Sequence, residues 1–116
     1  MSHHQMSQDM QQCIEHCTRC HQVCLQTIQH CLGMGGMHAE QSHIRLLADC
    51  AQICSINADF MLRDSPLHAR TCAICAEVCQ HCAADCDRFG GGDPQMKLCA
   101  DTCRHCAESC RKMADA

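Results

Sequence analysis

Residues 13–24, CIEHCTRCHQVC, place four cysteines at successive steps of four, three and four residues. These steps follow the 3.6-residue period of an α-helix, so all four side chains would lie on one helical face. A β-strand would instead repeat its buried face every two residues. The stretch therefore predicts a helix with a continuous stripe of thiols.

The same spacing recurs through the rest of the sequence. Within each of four segments, consecutive cysteines are separated by three, four or seven residues. Such a stripe corresponds to the a and d positions of a heptad, which face the axis of a helical bundle. The stripe comprises Cys13, Cys17, Cys20, Cys24, Cys31, Cys50, Cys54, Cys72, Cys75, Cys79, Cys82, Cys86, Cys99, Cys103, Cys106 and Cys110.

Glycine and proline separate the four segments. Breaks at residues 33–36, 64–66 and 90–94 predict helices near residues 3–33, 39–63, 66–89 and 94–114. The short connections favour antiparallel neighbours, and 116 residues suit one domain. We therefore expect an all-α, antiparallel up-down-up-down four-helix bundle with a cysteine-lined core, as a single domain spanning residues 1–116.

Local signals refine the expected helix ends. Ser65 and Asp93 each precede a proline, the usual N-cap and first-turn arrangement. Ser2 with Gln5 resembles a capping box for the first helix. Helix-terminating glycines are expected at Gly33 and Gly90.

Composition limits the function. The net charge of −4, without a basic run, argues against nucleic acid as a partner. Residues 1–10 are polar and contain no apolar stretch of signal-peptide or membrane length. We therefore expect a cytoplasmic protein without a membrane partner, in a compartment where thiols stay reduced. Metal binding is then a better explanation of 16 cysteines than disulfides, which are the main alternative.

The stripe favours copper as the metal. Thiolate and thioether ligands are soft and select Cu(I). A Cu(I) ion that replaces a thiol proton leaves the charge of the core unchanged, whereas each Zn(II) with four thiolates leaves two surplus negative charges. Repeating such sites in a dry interior is costly. The sequence thus predicts multiple Cu(I) ions per chain.

Methionine and histidine extend the stripe beyond the cysteines. The first and third connections of an antiparallel bundle meet at one end, and we expect copper to enter there. The opposite end carries Met6, Met10, Met61, His68 and Met113. An ordinary core role is the alternative for each of these residues. The added candidate ligands are Met34, Met37, His38 and His43 at the mouth, and Asn57, Met61 and His68 further along the stripe.

These motifs resemble those of the bacterial copper storage proteins, specifically their cytosolic branch. The resemblance rests on C-x-x-x-C-x-x-C-x-x-x-C at residues 13–24 and 99–110, the five-cysteine run at 72–86, and His30-Cys31-x-x-Met34. It implies a four-helix bundle holding many Cu(I) ions through bridging thiolates, and a homo-oligomer, usually a tetramer. Asn57 matches a core asparagine of some relatives, whereas Met34 and Met37 are more similar to the exported branch.

Three other functions are alternatives for a cysteine-rich chain. Iron–sulfur carriers of the ferredoxin type wrap C-x-x-C-x-x-C loops around a cluster, which the alternating helical steps do not provide. A metallothionein-like zinc or cadmium buffer would favour C-x-C, which does not occur here. An enzyme is not expected, since no nucleophile–base pair or open metal site is recognisable.

Apolar residues outside the stripe predict self-association. As a monomer, the bundle would expose them as a surface of the kind that commonly forms an interface. They are Leu25, Leu32, Ile56, Leu67, Ile74 and Leu98.

Overall fold

A computed structural model describes residues 6–115 of the protein. This part of the chain contains four α-helices: α1 (Gln8–Met34), α2 (Gln41–Leu62), α3 (His68–Asp87) and α4 (Pro94–Asp115). Each helix packs against the helices before and after it in sequence, and α4 returns to pack on α1. The predicted antiparallel four-helix bundle is confirmed. We call the end with the connections 35–40 and 88–93 the loop end, and the opposite end, with the turn 63–67, the terminal end.

The first helix begins later than predicted. Residues 6 and 7 are not helical, and the Ser7 hydroxyl accepts a hydrogen bond from the Met10 amide at 3.1 Å, which makes Ser7 the N-cap. The expected capping box at Ser2 and Gln5 lies outside the described residues. The helix passes Gly33 and ends at Met34, because Gly35 adopts the positive φ of 71° that terminates it.

The other helix ends show one confirmed cap and two shifted starts. The Asp93 carboxylate accepts hydrogen bonds from the Gln95 and Met96 amides at 3.0 and 3.3 Å, so α4 starts as predicted. Ser65 does not cap α3: its hydroxyl accepts from the Leu67 amide within a turn, which delays the helix by two residues. A short 3₁₀ helix, Gly36–Ala39, precedes α2.

Small side chains bring the helices close enough for their thiols to meet. All sixteen cysteines are buried, and Val23 and Leu47 are the large aliphatic residues that share the core with them. Interaxial distance depends on the side chains at the contact, and alanine permits a close approach. The buried alanines beside the stripe are Ala51, Ala58, Ala76, Ala83, Ala100 and Ala107.

Candidate metal centre

The thiols form a continuous sulfur column along the bundle axis. At mid-height, the Cys20 Sγ lies 3.7 Å from that of Cys103 and 3.8 Å from that of Cys50. The Cys50 Sγ is in turn 3.6 Å from the Sγ of Cys79. These four residues come from α1, α4, α2 and α3 respectively, so the contacts join all four helices. The helical period has placed the thiols of each helix on the side that faces the axis.

The column offers overlapping groups of four ligands. In each group all Sγ atoms lie within 4.8 Å of one another, and every cysteine is a free thiol. Several sulfurs belong to more than one group; that of Cys20, for example, belongs to at least two. Sulfurs that are shared in this way can bridge ions. The groups include Cys17–Cys75–Cys106–Cys110, Cys20–Cys50–Cys54–Cys79, Cys20–Cys24–Cys50–Cys103, Cys24–Cys82–Cys99–Cys103 and Cys54–Cys75–Cys79–Cys106.

Neighbouring thiols shift one another's proton affinity. Hydrogen bonding with the thiols of Cys103 and Cys106 lowers the pKa of the Cys20 thiol. The hydrogen bond to Cys20, with burial, raises the pKa of the Cys103 thiol. A thiolate in the column is therefore stabilised by the S–H groups around it, while the donors hold their protons until a metal ion displaces them.

Asn57 is the polar member of the stripe. Its side-chain amide nitrogen donates to the Sγ atoms of Cys17 and Cys110 at 3.4 and 3.5 Å. Its carbonyl oxygen accepts from the Thr71 hydroxyl at 2.7 Å and from the Cys72 thiol at 3.4 Å. The amide thus fixes three sulfur positions by hydrogen bonding.

At the loop end the column stops at Cys31. The Cys31 Sγ lies 3.6 Å from the Met96 Sδ and 3.3 Å from the His43 Nε2. The His43 Nδ1 pairs with the Asp85 carboxylate, which fixes the tautomer that directs the Nε2 lone pair at the thiol. Burial, with repulsion from Cys99 and Asp93, raises the pKa of the Cys31 thiol to about 11. Thiol, thioether and imidazole converge here.

The remaining mouth candidates lie outside the column. The His38 and His30 Nε2 atoms lie 2.9 and 2.8 Å from the same oxygen of Asp93. The hydrogen bond from His30, with a second from His38, lowers the pKa of the Asp93 carboxyl to about 2. Met34 and Met37 are exposed, at 57% and 43%. Of the four predicted residues, only His43 is brought against the sulfur column.

An aromatic ring covers the loop end. The Phe89 ring lies 4.4 Å from the His38 ring and 4.7 Å from the His43 ring, measured between centroids. It thus separates the outer histidine from the inner one. Sequence reasoning missed the pairing roles of Asp85 and Asp93, because the sequence does not show which histidine each carboxylate meets.

At the terminal end, thioethers surround the last thiols. The Met61 Sδ lies 3.7 Å from the Cys72 Sγ, and Met10 and Met113 are buried beside the core. His68 starts α3 one turn before Cys72 and is half-buried. The structure thus brings Met61 against a thiol of the stripe.

The chain matches the sequence profile described as "Copper storage protein" over residues 6–115.

Within residues 6–115, no helix is both long and apolar enough to span a membrane.

Solved structures with a similar sequence share the fold. The Nmul_A1745 protein of Nitrosospira multiformis is 44% identical, with a TM-score of 0.87 over 93% of this chain and 96% of that one. The Cu(I)-bound copper storage protein BsCsp3, from Bacillus subtilis, is 36% identical, with a TM-score of 0.84 over 92% and 99%. The copper storage protein Ccsp of Streptomyces lividans, loaded with 10 copper equivalents, is 29% identical, with a TM-score of 0.80 over 92% and 84%. With sixteen thiols lining the same bundle, this chain belongs to the copper storage protein family.

Proposed function

We propose that this protein binds and stores many Cu(I) ions in the cytoplasm, through the thiolates of its core. The observation that carries the proposal is the sulfur column, in which sixteen buried free thiols from four helices face one another. A core of leucine would pack better, since each buried methylene contributes about 0.8 kcal/mol. The sequence has given up that stability for ligands.

Sulfur–sulfur distances alone do not select copper. A tetrahedral zinc site with Zn–S bonds of about 2.3 Å has S–S edges of about 3.8 Å, close to the spacing of the Cys20 and Cys50 sulfurs at 3.8 Å. The sharing of sulfurs between neighbouring sites does discriminate between zinc and copper. Sixteen thiolates make at most four separate tetrathiolate sites, whereas bridging thiolates with a monovalent ion support loading near one Cu(I) per thiolate. Cu(I) ions that replace thiol protons leave the charge of the buried column unchanged, which also favours copper.

The cellular setting and assembly are part of the proposal. Free thiols at this density require a reducing compartment. The Streptomyces lividans relative, in a structure loaded with five coppers, is described as a cytosolic copper storage protein. We place this protein in the cytoplasm as a homo-oligomer, with a tetramer as the expected state. Exposed Ile56 and Ile74 line an apolar groove between α2 and α3 with Ile53 and Val78, which supplies a surface for self-association.

We also propose that copper enters at the loop end. His43 contacts the last thiol of the column there, and the exposed Met34 and Met37 supply weaker soft ligands outside it. The His38 ring lies 4.4 Å from the Phe89 ring, which also contacts His43. An ion would pass from thioether and imidazole to thiolate, that is, towards the stronger ligands.

The proposal is tested by anaerobic titration of the reduced protein with Cu(I) and with Zn(II), each against a competing chelator. We expect about one Cu(I) per thiolate and no more than about four Zn(II) per chain, with zinc displaced by copper. Equal saturation numbers and comparable affinities for the two metals would overturn the assignment to copper.

A further inference from the structure

Both ends of the sulfur column carry the same three ligand types. At the loop end these are Cys31 with Met96 at 3.6 Å and His43 at 3.3 Å. At the terminal end the Cys72 Sγ lies 3.7 Å from the Met61 Sδ. His68 precedes Cys72 by four residues on α3, which puts the two side chains on one face, with Cβ atoms about 5–6 Å apart.

The imidazole of His68 has an unsatisfied polar atom. Its Nδ1 is buried and, among the described residues, has no hydrogen-bond partner. The backbone of His68 is satisfied, since its amide donates to the Ser65 carbonyl and its carbonyl accepts from the Thr71 hydroxyl. A buried polar atom without a partner costs about 1–3 kcal/mol, so a lone pair in this position calls for a ligand.

The surrounding chemistry selects the ligand. Met61 and Cys72 are fully buried, and Met10 and Met113 close the core beside them. One thiolate, one neutral thioether and one neutral imidazole balance the charge of a monovalent cation. They would leave a divalent cation uncompensated in an apolar setting.

We infer that His68 Nδ1, Met61 Sδ and Cys72 Sγ form a three-coordinate Cu(I) site at the terminal end of the column. The inference rests on the proposed function and adds a nitrogen-ligated site to the thiolate-bridged ones. Asn57 lies between this site and the thiols above it, accepting from Cys72 on one side and donating to Cys17 and Cys110 on the other. The site therefore terminates the column as a mixed-ligand position.

The direct test uses the wild-type protein with ¹⁵N-labelled histidine and two-dimensional NMR of the imidazole nitrogens during anaerobic Cu(I) loading. The Nδ1 resonance of His68 should shift on saturation, whereas that of the exposed His105 should not. An unshifted His68 Nδ1 in fully loaded protein would overturn the inference. Because this experiment needs no variant of His68, it decides the matter even if a variant folds poorly.

The companion test compares His68→Leu with His105→Leu, an exposed histidine of α4 outside the column. We expect His68→Leu to bind roughly one Cu(I) fewer than wild type and His105→Leu to bind the same number. Equal capacity in His68→Leu and wild type counts against the site. Failure of the wild type itself to take up more than a few Cu(I) ions would refute the proposed storage function, a different outcome from the loss of one ion.

Discussion

The side-chain amide of Asn57 donates a hydrogen bond to the Cys17 sulfur at 3.4 Å, and the Cys110 and Cys106 thiols lie 3.6 and 3.7 Å from the same sulfur. A charge-assisted hydrogen bond stabilises a thiolate more than a thiol. The amide therefore favours the form of Cys17 that binds metal.

Replacing Asn57 with Leu should separate folding from copper affinity. Thr71 keeps its bond to the His68 carbonyl and Cys72 keeps Met61 as an acceptor, so few groups lose their partners. We expect the free energy of unfolding of the apo-protein, measured in urea, to change by less than about 1 kcal/mol. Chelator competition should show weaker Cu(I) binding at a subset of sites. Unchanged affinity would show that the amide has only a packing role.

Removing thiols from the middle of the column should lower capacity without unfolding the helices. Cys20, Cys79 and Cys103 lie on three helices and share Cys50 as a neighbour. The triple change to Ser should remove about three or more Cu(I) ions, since bridging thiolates each serve more than one ion. Circular dichroism should still show a helical protein.

The matched control for this triple variant is Val23→Ala. Val23 is fully buried on α1 and carries no ligand atom. Its truncation should destabilise the fold through a cavity, yet leave Cu(I) capacity at the wild-type value. A capacity loss in Val23→Ala similar to that of the triple variant would mean that packing, and not sulfur, limits loading.

Periodicity in the sequence was sufficient to predict the helical bundle and the burial of its thiols. Each cysteine follows its neighbour at a helical step, so a single period determines the face that is buried. Helix starts were less predictable: Ser65 precedes a proline but accepts from Leu67 in a turn, because the sequence signal for a cap and for a turn is the same. The pairing of His38 with Asp93 depends on α4 approaching the first connection, which is non-local information.

Copper binding should release protons over a wide pH range. The pKa of Cys31 is raised to about 11 by burial, so its thiol is protonated at neutral pH and Cu(I) must displace that proton. Below that pKa, the apparent binding constant should therefore rise about tenfold per pH unit for each proton displaced. Proton release on loading, followed by pH-stat titration at pH 7.5, should approach about one for each Cu(I) that binds a protonated thiol such as Cys31. Release near zero would indicate thiolates that are already ionised in the apo-protein.

Self-association should depend on the groove between α2 and α3. Ile56 and Ile74 are 41% and 44% exposed and line the groove together. Changing both to Lys should shift the protein to monomers in sedimentation experiments, because burying two ammonium groups in an apolar interface is unfavourable. Leu62→Lys, at a leucine near the end of α2 that is 60% exposed, is the control and should leave the assembly intact. Wild-type protein that sediments as a monomer at micromolar concentration would refute the interface.

Uptake kinetics should identify the loop end as the mouth. His43 is held against Cys31 by its bond to Asp85, whereas Met34 and Met37 are exposed beyond it. Changing His43 together with His38 and the two methionines to Leu should slow Cu(I) uptake in stopped-flow experiments. Final capacity should stay nearly unchanged, because the thiol column is intact.

The comparison variant alters the terminal end, with Met10, Met61 and His68 all changed to Leu. At that end the three-ligand site terminates the column beside buried thioethers. We expect this variant to take up Cu(I) at the wild-type rate and to bind about one ion fewer than wild type. Both ends carry thiolates, so the exposure of the thioethers decides between them. At the loop end Met34 and Met37 are exposed and can bind an ion from solvent before it reaches the stronger Cys31 thiolate. At the terminal end Met10, Met61 and Met113 are buried. Slow uptake in the terminal-end variant, with normal uptake in the loop-end variant, would place the mouth at the opposite end of the bundle.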